Sequence, residues 1–233
     1  MNILISGASG FIGSQVAKKS PGKISVIGRS AIEKFGDDFY LKSIGDAIDY
    51  SDCLSNQDVF IHCAARVHVM SDDSEDPLTS FRKVNTVGTL NIARQAAKAG
   101  VKRFVFISSI KVNGEGTAIN SKYTSSDQPA PEDPYGISKY EAEQGLIKLS
   151  KKTGMELVII RPTLVYGPGV KGNFLNLLKL CKIGLPLPFG AIHNARSMVY
   201  LENLVDLITT CIDHPNATGK TFLASDGDDL SLT

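Results

Sequence analysis

The chain has 233 residues and a formal net charge of +1, with 25 basic against 24 acidic side chains. That length suits one large domain or one and a half, with a sizeable core. So even a charge balance leaves no basic field for nucleic acid, and no apolar run approaches the roughly 20 residues of a membrane span. The N-terminus passes straight into a strand-like run without a basic flank and apolar signal core, which argues against secretion.

Four cysteines, Cys53, Cys63, Cys181 and Cys211, include no close pair. Most have apolar neighbours, so buried reduced thiols in a cytoplasmic protein are expected. The four histidines show no ligand spacing among themselves or with the cysteines, and no metal site is expected.

Taken in order, residues 2–6 read as a buried strand, followed by a glycine-rich turn and a short helix from about Phe11 to Lys19. Residues 23–29 are a second strand, 38–46 a third and 57–65 a fourth. A long helix is expected across 77–100, stopped by Gly100. Residues 102–109 are a fifth strand, a helix then carries Tyr135 and Lys139 to about Thr153, and 155–162 are a sixth strand. Near-continuous β-branched runs separated by helices predict an α/β fold with a parallel sheet covered on both faces. Past Pro162 the chain turns rich in glycine and proline, with a helix near Phe174 to Lys182, another over 201–213 and a strand over 219–225. The last residues, from Asp226, read as the entry to a further helix.

The first turn places Gly7, Gly10 and Gly13 directly after a strand and at the opening of a helix. Glycines there let backbone approach a pyrophosphate, and a helix N-terminus offers unpaired N–H groups and a positive dipole end. In the first βα turn of a parallel sheet this pattern points to a dinucleotide. At the end of the second strand an acidic residue would accept the ribose 2′-hydroxyl and repel a 2′-phosphate. Gly28, Arg29 and Ser30 stand there instead, so the reading leans to NADP over NAD. Asp46, with Ala47 beside it, is placed to meet the adenine edge.

Tyr135 and Lys139 are four residues apart, one helical turn, just after Pro134. A lysine held beside a tyrosine favours the phenolate and pulls the phenol below its usual value of about 10. The expectation is a usable acid or base near neutral pH.

These stretches resemble the extended short-chain dehydrogenase/reductase family, in its nucleotide-sugar epimerase, dehydratase and reductase branch. The resemblance covers nearly the whole chain. It implies a Rossmann-type doubly wound parallel sheet over 1–162, and a shortened nucleotide-sugar region over 163–233 from which the chain returns to the sheet. Residues 7–13, including Ser9, Phe11 and Ile12, look like the cofactor turn. Cys63, Ala64 and Ala65 look like the segment flanking the nicotinamide half, with Asn85 in the long-helix motif and Ile107 and Pro162 at the ends of strands five and six. By the same resemblance Tyr135 is the acid/base at a sugar hydroxyl or carbonyl, Lys139 holds the nicotinamide ribose, and Ser109 bonds the same sugar oxygen, with Lys111 nearby. Ser108 would point to the opposite strand face. Asn173 looks like the residue bonding a diphosphate at a helix mouth, and Arg196 like an arginine that grips a phosphate.

The resemblance implies a UDP-sugar substrate, bacterial surface-polysaccharide synthesis and a homodimer packed through the helices of Asn85 and Tyr135. It leaves a 4-epimerase and a 4-keto-sugar reductase open, with reduction slightly ahead because Gly28-Arg29 favours a consumed NADPH, and a non-catalytic NADP sensor as a third reading. Two departures stand out. Asn113-Gly114 replaces the family's Tyr-Gly after the serine motif, and Arg66 and His68 add polar groups near the site's mouth. The family also runs several dozen residues past Thr233, so the chain is expected to be cut short, with its activity in doubt.

Overall fold

The computed structural model describes residues 1–67, 76–118, 121–183 and 194–231, without the side chains of Glu33, Lys34 and Asn173. Its centre is a seven-stranded sheet built from β1 (Asn2–Ser6), β2 (Lys23–Gly28), β3 (Phe39–Leu41), β4 (Val59–His62), β5 (Arg103–Ile107), β6 (Glu156–Pro162) and β9 (Thr221–Ala224). The spatial order is β3-β2-β1-β4-β5-β6-β9, every pair parallel. The chain steps outward from β1 to β3, then crosses back to lay β4 on the other side of β1. Order reverses between those two strands, and open α/β sheets form their ligand crevice outside the carboxyl ends at such a point.

The strands are apolar on both faces because both are covered. Ile3 and Ile5 of β1, with Val105 and Ile107 of β5, join one core with α1 (Phe11–Lys19) and α7 (Leu201–Thr210). Leu4, Phe104 and Phe106 join the other, with α2 (Ser51–Leu54), α4 (Thr89–Lys98) and α5 (Pro134–Thr153). Successive strand residues point to opposite faces, so a two-faced core demands continuous apolar runs, which is how the strands read. Gly154 ends α5 in the left-handed region at φ 78°.

The long helix expected over 77–100 is interrupted. α3 (Pro77–Phe81) passes into a π-helical stretch, Arg82–Gly88, before α4, the wider turn that inserts a residue into a helix and recurs at functional sites. Gly88 closes it against the loop after β3, where a Cβ would lie 2.7 Å from Ile44. The third strand is shorter than read, only Phe39–Leu41. Beyond Pro162, β7 (Leu164–Tyr166), β8 (Arg196–Tyr200) and β10 (Asp229–Leu230) form a separate three-stranded sheet that the glycines and prolines had hidden. The expected helix entry after Asp226 is thus partly strand, since Asp229 and Leu230 pair antiparallel with Ser197 and Arg196. The helix read near Phe174 is α6, Gly172–Ile183.

Cys53 and Cys211 are buried and Cys63 half-buried, but Cys181 is exposed. Its apolar neighbours on α6, Leu178, Leu180 and Ile183, are exposed as well, so an apolar run there did not mean a core. Among the described residues no helix is long and apolar enough to cross a membrane.

Candidate active site

The turn after β1 meets the loop after β4 at the order reversal. Gly7 sits at φ +77°, and a Cβ on it would lie 2.7 Å from the Ala64 nitrogen. A Cβ on Gly13 would lie 2.2 Å from the Gly7 carbonyl oxygen. Only glycine fits at either place, so α1 is drawn tight against the end of β1. Gly10 caps α1 with no side-chain bond, and the first turn holds no acidic residue. Ser9 and Gly10 are exposed, Phe11 and Ile12 half-buried. The turn from Gly167 to Val170 lies near this helix start, where a Cβ added on Gly169 would lie 4.0 Å from the Phe11 ring. Open N–H groups, a positive helix end and room against the backbone fit a dinucleotide pyrophosphate.

Tyr135 and Lys139 lie on α5, whose start is fixed from outside. Asp133 accepts from the Gly136 N–H at 2.6 Å and Pro134 takes the first helical position. Gly136 packs so closely on the short turn Ile110–Val112 that a Cβ would lie 2.8 Å from the Lys111 carbonyl oxygen. That turn begins at Ser109, whose hydroxyl accepts the Lys111 N–H at 3.3 Å. Ser109 therefore caps a turn and also keeps a proton to donate. The strand end carrying it is thereby placed at the N-terminal turn of α5.

Lys139 is 1% exposed. Its ammonium lies 4.0 Å from the centroid of the Phe106 ring and makes no hydrogen bond or ion pair among the described residues. The Tyr135 hydroxyl likewise has no such partner, its ring meeting Phe81 edge-on at 6.1 Å. The expected lowering of the tyrosine is not found. Burial, reinforced by the Asp133 carboxylate, pushes Tyr135 up to about 12. Burial also takes Lys139 down to about 7, opposed by Glu143 and Cys63. The reason is dielectric: a crevice that shields both groups disfavours each charged form. Tyr135 stands as a neutral phenol, a proton donor.

Other residues hold this arrangement, among them His62, which the sequence did not single out, and Asn85, which it did. His62, fully buried, links Ser6 at 2.7 Å and Thr89 at 2.9 Å, and burial lowers it to about 3, so it is neutral. Asn85 receives the Arg66 N–H at 2.8 Å and donates to the Arg66 carbonyl and to Ser138, each at 3.0 Å. Its amide clamps the loop after β4 to the tyrosine helix, and both its N–H groups are spent within the protein. The Arg66 guanidinium lies over Phe81 at 5.7 Å.

Ser108 does point away from the crevice, donating to Glu143 at 2.5 Å. Glu143 is also held by both arms of Arg161, at 3.0 and 2.6 Å, and Arg161 gives a further N–H to Asn113 at 2.9 Å. Asn113, one of the departures from the family pattern, is thus turned inward and buried. A pair this deep is dangerous to break, since removing one partner strands a buried charge at about 3–5 kcal/mol. The spacing of Lys139 and Glu143, one turn apart, was the sequence signal available for it.

Other expected residues lie elsewhere or are already engaged. Lys111 is bound to Glu115 at 2.9 Å and Asp133 at 2.5 Å, bracing the start of α5. Cys63, Ala64 and Ala65 lie half-buried beyond β4, while Ile107 and Pro162 are buried at the ends of β5 and β6. Arg29 is exposed at the end of β2. Asp46 accepts the Ala47 N–H at 3.0 Å, and both line an open cleft of about 560 Å³ beside α4 that includes none of Gly7, Ser109, Tyr135 or Lys139. That cleft is the flank of a helix and a loop. Arg196 is exposed at the start of β8. His68 and the side chain of Asn173 lie outside the described residues.

The chain matches the NAD dependent epimerase/dehydratase family over residues 3–224. It is 52% identical to a UDP-glucose 4-epimerase of Vibrio cholerae, across 99% of this chain and 72% of that protein. It is 32% identical to the N-acetyl-alpha-D-glucosaminyl-diphospho-ditrans,octacis-undecaprenol 4-epimerase of Escherichia coli O157:H7, across 99% and 69%. Among solved structures, a UDP-glucose 4-epimerase of Thermotoga maritima with UDP-glucose superposes at a TM-score of 0.79 and 26% identity, covering 99% of this chain and 79% of that one. The parallel sheet, the glycine cradle and this match over nearly the full chain agree: the chain belongs to the NAD dependent epimerase/dehydratase family.

Proposed function

We propose that the chain is an NAD(P)-dependent nucleotide-sugar epimerase acting at C4 of a UDP-activated hexose, in cytoplasmic synthesis of bacterial surface-polysaccharide precursors. One observation carries the chemistry. Lys139 is a buried ammonium with no hydrogen bond or ion pair among the described residues, one turn from a phenol that likewise has no partner among them. A buried charge left so needs an acceptor from outside, and ribose hydroxyls in the crevice suit it. The 52% identity to a UDP-glucose 4-epimerase supports the sugar and the reaction.

The cradle of Gly7, Gly10 and Gly13 would hold the pyrophosphate, and Lys139 the nicotinamide ribose. The bound nicotinamide supplies the hydride acceptor and donor. With a nucleotide bound, Tyr135 would first give its proton to solvent, its phenolate favoured by the Lys139 ammonium. The phenolate would then take the proton of the C4 hydroxyl on oxidation, and the phenol so formed would return it on reduction, so nothing is consumed. Ser109 donates to the same oxygen and steadies it. Asn173 and Arg196, in residues 163–233, belong to the same reading as diphosphate ligands, as does a homodimer packed through the helices of Asn85 and Tyr135.

A second reading, a 4-keto-sugar reductase, is favoured by Arg29, exposed and without a hydrogen bond or ion pair among the described residues. A guanidinium there suits the 2′-phosphate of a consumed NADPH. A non-catalytic sensor would need none of Ser109, Tyr135 and Lys139.

The test is incubation with UDP-glucose and no added reductant. Formation of the C4 epimer is expected, with Tyr135→Phe lowering turnover by about 100- to 10,000-fold while leaving nucleotide affinity nearly intact. NADPH oxidation with a 4-keto-6-deoxy sugar nucleotide, and no epimer, would favour the reductase. Retained turnover in Tyr135→Phe would remove the mechanism.

A further inference from the structure

We propose that Glu143 is a positioning residue for this site: clamped by Ser108 and Arg161, its carboxylate keeps Lys139 in the ammonium form that the crevice requires. The inference rests on the role given to Lys139 above. Glu143 is 1% exposed and follows Lys139 by one turn on the same face of α5, the spacing at which side chains meet. It cannot swing away. Ser108 donates to one oxygen at 2.5 Å, and Arg161 grips both, at 3.0 and 2.6 Å. Asn113 in turn takes a further Arg161 N–H at 2.9 Å, so the clamp joins the end of β5, the turn after Ser109, α5 and the end of β6.

Among the described residues, Glu143 is first of the groups that favour the charge of Lys139, with Cys63 second. From β4 and the loop beyond it come His62, neutral because burial lowers it to about 3, and Cys63, a thiol that burial pushes up to about 12. β5 contributes the Phe106 ring. From α5 itself comes Tyr135, a neutral phenol. Arg161, from β6, is turned onto Glu143. Burial drives Lys139 down to about 7, with Glu143 first among the groups that oppose it. The sign follows. Lys139 is an ammonium below its folded value and loses its proton as pH rises through it, so removing the Glu143 charge makes that loss come at lower pH.

The experiment measures NAD and NADP binding by the intact chain from pH 5.5 to 9, by calorimetry, for the wild type, Lys139→Met and Glu143→Gln, with thermal melts as a folding control. The wild type should lose affinity with a midpoint near pH 7. Glu143→Gln should move that midpoint to lower pH by about one unit, a tenfold loss of the ammonium form on the alkaline side, with affinity recovered in acid. Should that variant fail to fold, Glu143→Asp, which withdraws the charge by one methylene, must shift the midpoint the same way by less. Parallel profiles with a uniform loss would overturn the inference and leave Glu143 a packing residue. A Lys139→Met protein that binds nucleotide like the wild type would overturn both the inference and the role of Lys139 beneath it.

Discussion

Two helix starts flank the crevice, and they are built in opposite ways. α5 opens on Asp133, whose carboxylate takes an N–H at 2.6 Å, followed by Pro134. α1 opens on Gly10, with no capping side chain and no acid in its first turn. A capping side chain contributes about 1 kcal/mol, so leaving α1 bare sacrifices local stability. What it keeps is a positive helix end and free N–H groups aimed at the crevice. α5, whose task is to hold Tyr135 and Lys139 still, is closed and braced by Lys111. The lesson is that an uncapped helix end beside tightly packed glycines marks a ligand, and a capped one marks a scaffold.

The contrast breaks most readily at Gly13. An added Cβ would meet the Gly7 backbone at 2.2 Å, and backbone cannot give way as a flexible side chain can. Gly13→Ala is expected to cost about 1–3 kcal/mol of stability and to abolish nucleotide binding. Calorimetry showing normal affinity would mean that the cradle is not where the phosphates sit.

A smaller change turns one helix start toward the other. Ser9→Asp sets a carboxylate at the mouth of α1. It should stabilise the ligand-free chain by about 0.3–1 kcal/mol yet weaken nucleotide binding about tenfold. Opposite signs in the melt and the binding titration are the signature sought, and affinity unchanged would defeat the comparison.

The smallest effect belongs to α5. Asp133→Ala removes the cap and should cost about 1 kcal/mol in a denaturant titration. Its carboxylate is also the second cause, after burial, of the raised Tyr135. Without it Tyr135 ionises more easily, so the acid limb of turnover should move to lower pH. A limb that stays put would separate the cap from the chemistry.

The strands of the main sheet were legible because each is apolar on both faces, and only a doubly covered sheet needs that. The π-helical stretch was not, since Arg82–Gly88 keeps the composition of an ordinary helix, and the loop that packs on Gly88 comes from a distant part of the chain. The small sheet of β7, β8 and β10 was missed for another reason. Its strands are two to five residues long, too short for periodicity to register, and they gather around Asp226. That carboxylate accepts from the Tyr166 hydroxyl at 3.0 Å, the Tyr200 N–H at 2.9 Å and Asn203 at 2.9 Å. Nothing local predicts a hub assembled from three distant segments.

By itself the sequence determined the order of the main-sheet strands, the glycine cradle and the pairing of Tyr135 with Lys139, because each is written in residues close together along the chain. Tertiary structure alone decided the charge of that pair. Whether a lysine lowers a neighbouring phenol depends on how much water remains and on which groups arrive from other elements. Here burial raises Tyr135 and lowers Lys139, while Ser108, Glu143 and Arg161 meet only once β5, α5 and β6 have packed.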